Sequence, residues 1–129
     1  MKNTTVIDTN VILRYLLNDH EEHFEIAKTF MLEVKAGDKF AYIPDSVLAE
    51  CIFVLLKVYK IPKNEICEKL SYILTYSGIL ESNRKILSLS LELFSKNNVD
   101  VVDAIVHATA KCNDWEKISF DNDMKKFKD

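Results

Sequence analysis

Breaking residues are scarce in this chain, with only two Gly and two Pro among 129 residues. That scarcity argues against a disordered or repetitive chain, and with 48% apolar and 29% charged residues it points to an ordered, helix-rich globule. Cysteine is also sparse: Cys51, Cys67 and Cys112 are an odd set without CxxC spacing, so a disulfide framework or a zinc site lacks residues. Each lies in an apolar helical pattern and is expected as a reduced thiol. No basic segment followed by an uninterrupted apolar run opens the chain, so neither a signal peptide nor a membrane span is expected, and the expected location is cytoplasmic. A Gly-rich phosphate loop, a GxSxG elbow and a Cys/His pair at catalytic spacing are all missing, which leaves P-loop, hydrolase-elbow and thiol chemistry without machinery.

The length suits one domain, residues 1–129, able to bury roughly two-thirds of the surface of its unfolded chain. Thr4 to Asp8 reads as a short β-branched strand, after which Val11, Ile12, Tyr15 and Leu16 switch to helical spacing. A helix is expected from Glu21 to Val34, ended by Ala36-Gly37-Asp38, and a strand from Phe40 to Ile43. Ser46 is expected to cap a third helix that Ile61-Pro62 breaks, and a fourth runs from Lys63 to Tyr76. Ile79 to Glu81 reads as a strand, Asn83 to Ser95 as a helix, and Val101 to Cys112 as a central helix capped by Asp100. Trp115 to Phe120 is expected as the last strand. Strands separated by helices of ten or more residues imply an α/β fold, a three-layer α/β/α sandwich with a central, mostly parallel, short-stranded sheet. In such sheets sites form beyond the carboxyl ends of the strands, where Asp8 and Asp121 fall.

Four acids stand in apolar or central surroundings: Asp8 in "VIDTNVIL", Glu50 in "SVLAECIFVLL", Asp103 in "VVDAIVHA" and Asp121 after "ISF". Each has a local explanation to set beside a shared one. Asp8 is a good helix cap, but Thr9 and Asn10 are equally able, and the cap is assigned to one of these two. Glu50 misses capping-box spacing from Ser46 by one residue, Asp103 lies in a first helical turn where negative charge is favoured, and Asp121 and Asp123 suit a turn. One common site accounts for all four. Two carboxylates about 4 Å apart repel by roughly 4 kcal/mol at an effective dielectric near 20, so a cluster must take up protons or bind positive charge. Oxygen-only ligands favour a hard cation, Mg²⁺ or Mn²⁺. Two such ions would turn the formal charge of −3 into +1, which removes the objection an acidic chain raises to a polyanionic partner.

"VIDTNVIL", "LAE" at Leu48 to Glu50, "VDVVDAIVHATA" at Val99 to Ala110 and "ISFDNDM" near the end occur in the order and at the separations of a PIN domain. The chain resembles that family over nearly its whole length, and within it most resembles the VapC-type ribonuclease toxins of type II toxin–antitoxin systems. The resemblance implies a metal-dependent endoribonuclease in which Asp8, Glu50, Asp103 and Asp121 hold one or two Mg²⁺ or Mn²⁺ ions. It gives Asn10 and Ser119 supporting or substrate roles and matches Asp100 and Asp123 to recurrent acidic positions. A homodimer, an RNA substrate and a cognate antitoxin seated in an apolar groove are further implications. The chain departs from the family where Met124 replaces a frequent aromatic. A second class, an inactive PIN-fold binding module acting through protein partners, shares these motifs. A haloacid dehalogenase-type phosphatase would need a second Asp where this chain has Asn10.

Arg14, one turn beyond Asn10, is a candidate phosphate contact. Lys57, Lys60 and Lys63, and then Lys125, Lys126 and Lys128, are candidate guides for an RNA backbone or else a solvated face. His20 and His23 form an HxxH pair with no further zinc ligand nearby, and His107 is expected to be buried in the central helix.

Overall fold

The computed structural model describes residues 3–127. The first element, β1 (Thr4–Val6), pairs in parallel with β2 (Phe40–Tyr42), in the register Thr4 to Phe40, Thr5 to Ala41 and Val6 to Tyr42. Parallel pairing requires a crossover, and α1 (Thr9–Leu17) and α2 (Glu21–Ala36) supply it. Four helices follow: α3 (Asp45–Lys57), α4 (Lys63–Leu74), α5 (Glu81–Lys96) and α6 (Val101–Asn113). A short 3₁₀ helix, Asn122–Lys126, returns to α6. The α/β class and the parallel sheet are as expected. Among α2 to α6 two helix starts differ: α3 starts at Asp45 behind Pro44 without a side-chain cap from Ser46, and α5 starts at Glu81, two residues before the expected Asn83.

Periodicity explains the packing. Apolar residues spaced three and four apart bring Ile12, Met31, Val34, Leu48, Ile52, Leu55, Leu87 and Leu91 into one core with Ile7, Ala41 and Ile43 from the sheet. Here α1 packs on α2 and α3, and α6 packs on α3 and α5. The α1–α3 contact brings the turn after β1 against α3. Among the described residues, no helix is long and apolar enough to cross a membrane.

The sheet is smaller than expected. The segment Ile79 to Glu81 contributes only a bridge from Ile79 to Ala41, because Glu81 already begins α5. The backbone is too close there for a side chain: a Cβ on Gly78 would lie 2.0 Å from the Lys39 carbonyl oxygen. Past that bridge Asn83 takes over the strand's role. Its buried amide accepts from the Ile43 N–H at 2.7 Å and donates to the Ile43 carbonyl at 2.8 Å, satisfying both polar groups of a backbone that has no further strand beside it. Arg84 then ties the preceding loop together through the carbonyls of Leu74, Tyr76 and Ile79.

The expected last strand is the main correction. Trp115 to Phe120 belongs to no strand or helix among the described residues, and Phe120 is 100% exposed. The cause lies at the end of α6, where Asp114 turns left-handed and Trp115 N–H donates back to the Ala110 carbonyl at 2.8 Å. Lys117 then meets His107 Nδ1, which holds the segment against α6.

Asn83→Leu should lower stability by about 2–4 kcal/mol, since both Ile43 groups lose their partner in a buried position. Urea unfolding should show a lower midpoint with an unchanged slope; an unchanged midpoint would mean that water or a shifted backbone replaces the amide.

Candidate active site

The chain leaves β1 through Ile7, whose N–H donates to the Tyr42 carbonyl at 2.9 Å and whose side chain is buried. Asp8 comes next, in extended conformation, and its Oδ1 accepts from the Asn10 N–H at 3.0 Å. Asp8 is therefore the cap of α1, a correction to the assignment of that role to Thr9 or Asn10. The reason is geometric: the extended residue before the helix offers its carboxylate to the N–H two residues on, while Thr9 is already helical. The positive end of α1 favours this negative charge.

Thr9 does something that its sequence position did not suggest. Its side chain is buried and its hydroxyl donates to Glu50 Oε1 at 2.5 Å, tying the turn after β1 to the second turn of α3. The only sequence signal was a small hydroxyl residue directly after the acid, which reads equally well as a cap. Cys51, fully buried beside this contact, has its Sγ 4.0 Å from the Thr9 carbonyl oxygen. Burial, then the carboxylates of Glu50 and Asp8, push its thiol from an ordinary 9.0 up to about 12. The same thiol is thus raised by both acids. Cys51 and Cys67 are buried free thiols, as expected, and Cys112 is a half-buried free thiol.

Asp100 caps α6 as expected, accepting from the Val102 N–H at 3.0 Å, and lines with Glu50 a cleft of about 490 Å³ between α3 and α6. Asp103 is half-buried one turn further along α6. Asp121 is exposed; its N–H donates to Ser119 Oγ at 3.0 Å and its carbonyl starts the 3₁₀ helix. The Asp123 side chain and Lys128 lie outside the described residues.

Among the described residues, no three Asp, Glu, His or Cys side chains converge closely enough to hold a metal ion. The expected four-acid cluster is therefore not assembled, and Asp121 sits on a segment that has not joined the sheet. What is present fits a divalent cation in donor type. Asp8 and Glu50 are each oriented through one oxygen, and among the described residues Asp8 Oδ2 and Glu50 Oε2 accept no hydrogen bond. Carboxylate oxygens of this kind suit Mg²⁺ or Mn²⁺ and not a soft metal.

The remaining candidates are dispersed. Asn10 and Arg14 line a separate apolar groove of about 340 Å³ between β1, α1 and α2, and Arg14 pairs with Asp19 at 2.7 Å. His20 caps α2 by accepting from the His23 N–H at 3.3 Å, which accounts for the HxxH spacing. His107 is buried as expected and stacks on Phe127 at 4.6 Å. Lys63 and Lys126 donate to the carbonyls of Asn97 and Asn98, whereas Lys57 lines the α3–α6 cleft.

The folded protein holds the Cys51 proton more tightly than the unfolded chain does. That contribution is complete below about pH 9 and is lost as pH rises toward about 12. Urea midpoints should fall over this range in the parent and fall less in Cys51→Ala. At about pH 8 a thiol reagent should label Cys112 before Cys51.

No curated protein matches the chain. A turn that sets an acid after the first strand, a second acid tied to it from α3 and two more acids at the start of α6 keep the order of the motifs first noted in the sequence. The model of the PIN domain matches residues 5–129, nearly the entire length, and the chain belongs to the PIN domain family.

Proposed function

We propose that this protein is a metal-dependent endoribonuclease, the toxin of a toxin–antitoxin pair, with Asp8, Glu50, Asp103 and Asp121 as its metal-holding acids. PIN domains are in general nucleases that use divalent metals. The observation that supports the reading here is the anchoring of Asp8 by the Asn10 N–H and of Glu50 by the Thr9 hydroxyl, within one turn of chain after β1, each acid keeping an oxygen unbonded among the described residues.

Asp8 and Glu50 would hold a divalent cation, and Asp103 and Asp121 would add ligands. Such an ion, when bound, supplies positive charge at the phosphoryl oxygens and makes a water more acidic. The Asn10 N–H fixes the direction of the Asp8 carboxylate before any ligand arrives. Thr9 does the same for Glu50, whose other oxygen is available to accept a proton from the attacking water; Asp121 is the alternative acceptor. Asp121 would need the Trp115–Phe120 segment to move, and the outer edge of β1, which carries no strand among the described residues, offers it a place to pair. Asn10 and Arg14 on α1, Asp100 at the start of α6, and Ser119 and Asp123 near Asp121 would act in support or in contact with substrate.

The apolar groove between β1, α1 and α2, with Val6 and Ile26 exposed in it, supports an antitoxin segment as occupant. A homodimer, with the protein acting in the cytoplasm, completes this reading. The unassembled acids favour a second reading, a PIN-fold binding module of negligible activity that works through partner proteins.

Antitoxin-free protein incubated with total cellular RNA and Mg²⁺ or Mn²⁺ should create new RNA ends, and chelator should stop this reversibly. Asp8→Asn and Glu50→Gln should each cut cleavage about 100-fold or more while keeping the parent circular dichroism. Undiminished cleavage by Asp8→Asn, or in chelator, would refute the assignment. Mn²⁺ binding heat without cleavage by the antitoxin-free protein would leave the binding module, and no binding heat at all would leave the acids as caps and turn residues.

A further inference from the structure

Glu50, Phe53 and Lys57 follow one another on α3 at spacings of three and four, so they share a face of that helix. All three line the cleft of about 490 Å³, opposite Asp100 and Val102 of α6, with Phe94 of α5 behind. Phe53 is 60% exposed and Val102 is 53% exposed, an aromatic and an aliphatic residue left open to solvent on two walls of one concavity. Scattered exposed apolar residues need no explanation, but a pair lining a cleft of ligand size does.

The charges at the ends of the cleft differ. Along α3, Glu50 stands toward one end, and Lys57, which makes no ion pair among the described residues, stands at the other. A helix rises 1.5 Å per residue, so Glu50 and Lys57 are separated by about 10 Å along α3. That span accommodates a flat ring with an anionic group on either side. The acidic end repels a bare phosphate and accepts one only together with a cation, whereas Lys57 accepts one directly.

We propose that this cleft is a subsite for one unpaired nucleotide of single-stranded RNA beside the cleaved phosphate, its base stacked on Phe53 and its outer phosphate at Lys57. The assignment rests on the endoribonuclease reading above for the phosphate at the Glu50 end. A base must leave its helix to stack on Phe53, so single strands and loops enter this subsite and continuous duplex does not. A protein partner would have to cover about 800 Å² for a stable interface and would have no use for the opposed charges at the two ends of the cleft.

The test uses a fluorescently labelled ten-nucleotide single-stranded RNA and the full chain, with binding followed by anisotropy in chelator and in Ca²⁺. Phe53→Ala should weaken binding about tenfold, and Lys57→Gln should weaken it and lower the salt slope by about one. Phe53→Trp, made in a Trp115→Phe background, should keep the affinity, and its fluorescence should be quenched by RNA. A duplex of the same sequence should bind without dependence on Phe53. The inference is overturned if both variants bind the single strand like the parent, or if the parent binds none. It is equally overturned if Phe53→Ala turns a dimer into a monomer in sedimentation without changing RNA affinity, which would make the cleft a protein interface. Failure of the parent reading appears separately, as metal-independent cleavage or as cleavage by Asp8→Asn, with the binding results unaffected.

Discussion

The hydrogen bond from the Thr9 hydroxyl to Glu50 joins two parts of the chain forty-one residues apart at the point where the first strand becomes a helix. Without it, two neighbouring carboxylates would be free to swing apart into water, which is what their mutual repulsion favours. With it, Glu50 is turned toward the end of β1, while Asp8 is fixed by the Asn10 N–H. The buried Cys51 thiol, against the Thr9 carbonyl, closes the arrangement from the core side. The position of α3 against α1 is thus a packing decision with an electrostatic consequence.

A smaller sheet is compensated by side chains. Two strands and one bridge would leave backbone groups of Ile43 unsatisfied in the interior, and the amide of Asn83 supplies both the missing acceptor and the missing donor. Arg84 performs a similar service for the carbonyls of the loop before α5. Side chains can therefore end a sheet where the chain turns into a helix, and they free the following helices to close around the acidic cleft.

Some of this was legible from residue order alone. The strand-to-helix switch at Asp8 follows from β-branched residues giving way to helical spacing, and the Asp100 cap follows from an acid placed just before an apolar helix. The four acids stood out because charge is costly in apolar surroundings. Thr9 was missed because its functional bond is to a residue remote in sequence, while every local cue marked it as a cap. The last strand was misjudged for a related reason: "WEKISF" has the composition of a strand, but pairing needs a vacant edge within reach, and the left-handed turn at Asp114 with the Lys117 to His107 contact directs the segment along α6.

By itself, then, the amino-acid sequence determined the helical periodicity, the parallel α/β class, the family and the identity of the acids, since these depend on local spacing and on which side chains carry charge. Only the tertiary structure decided which acid caps α1, that Thr9 holds Glu50, and that Phe53 and Lys57 share a cleft with Glu50 and Asp100. Those outcomes depend on how α1, α3 and α6 pack, and packing is settled by the fit of whole buried faces, a property that no short stretch of sequence contains.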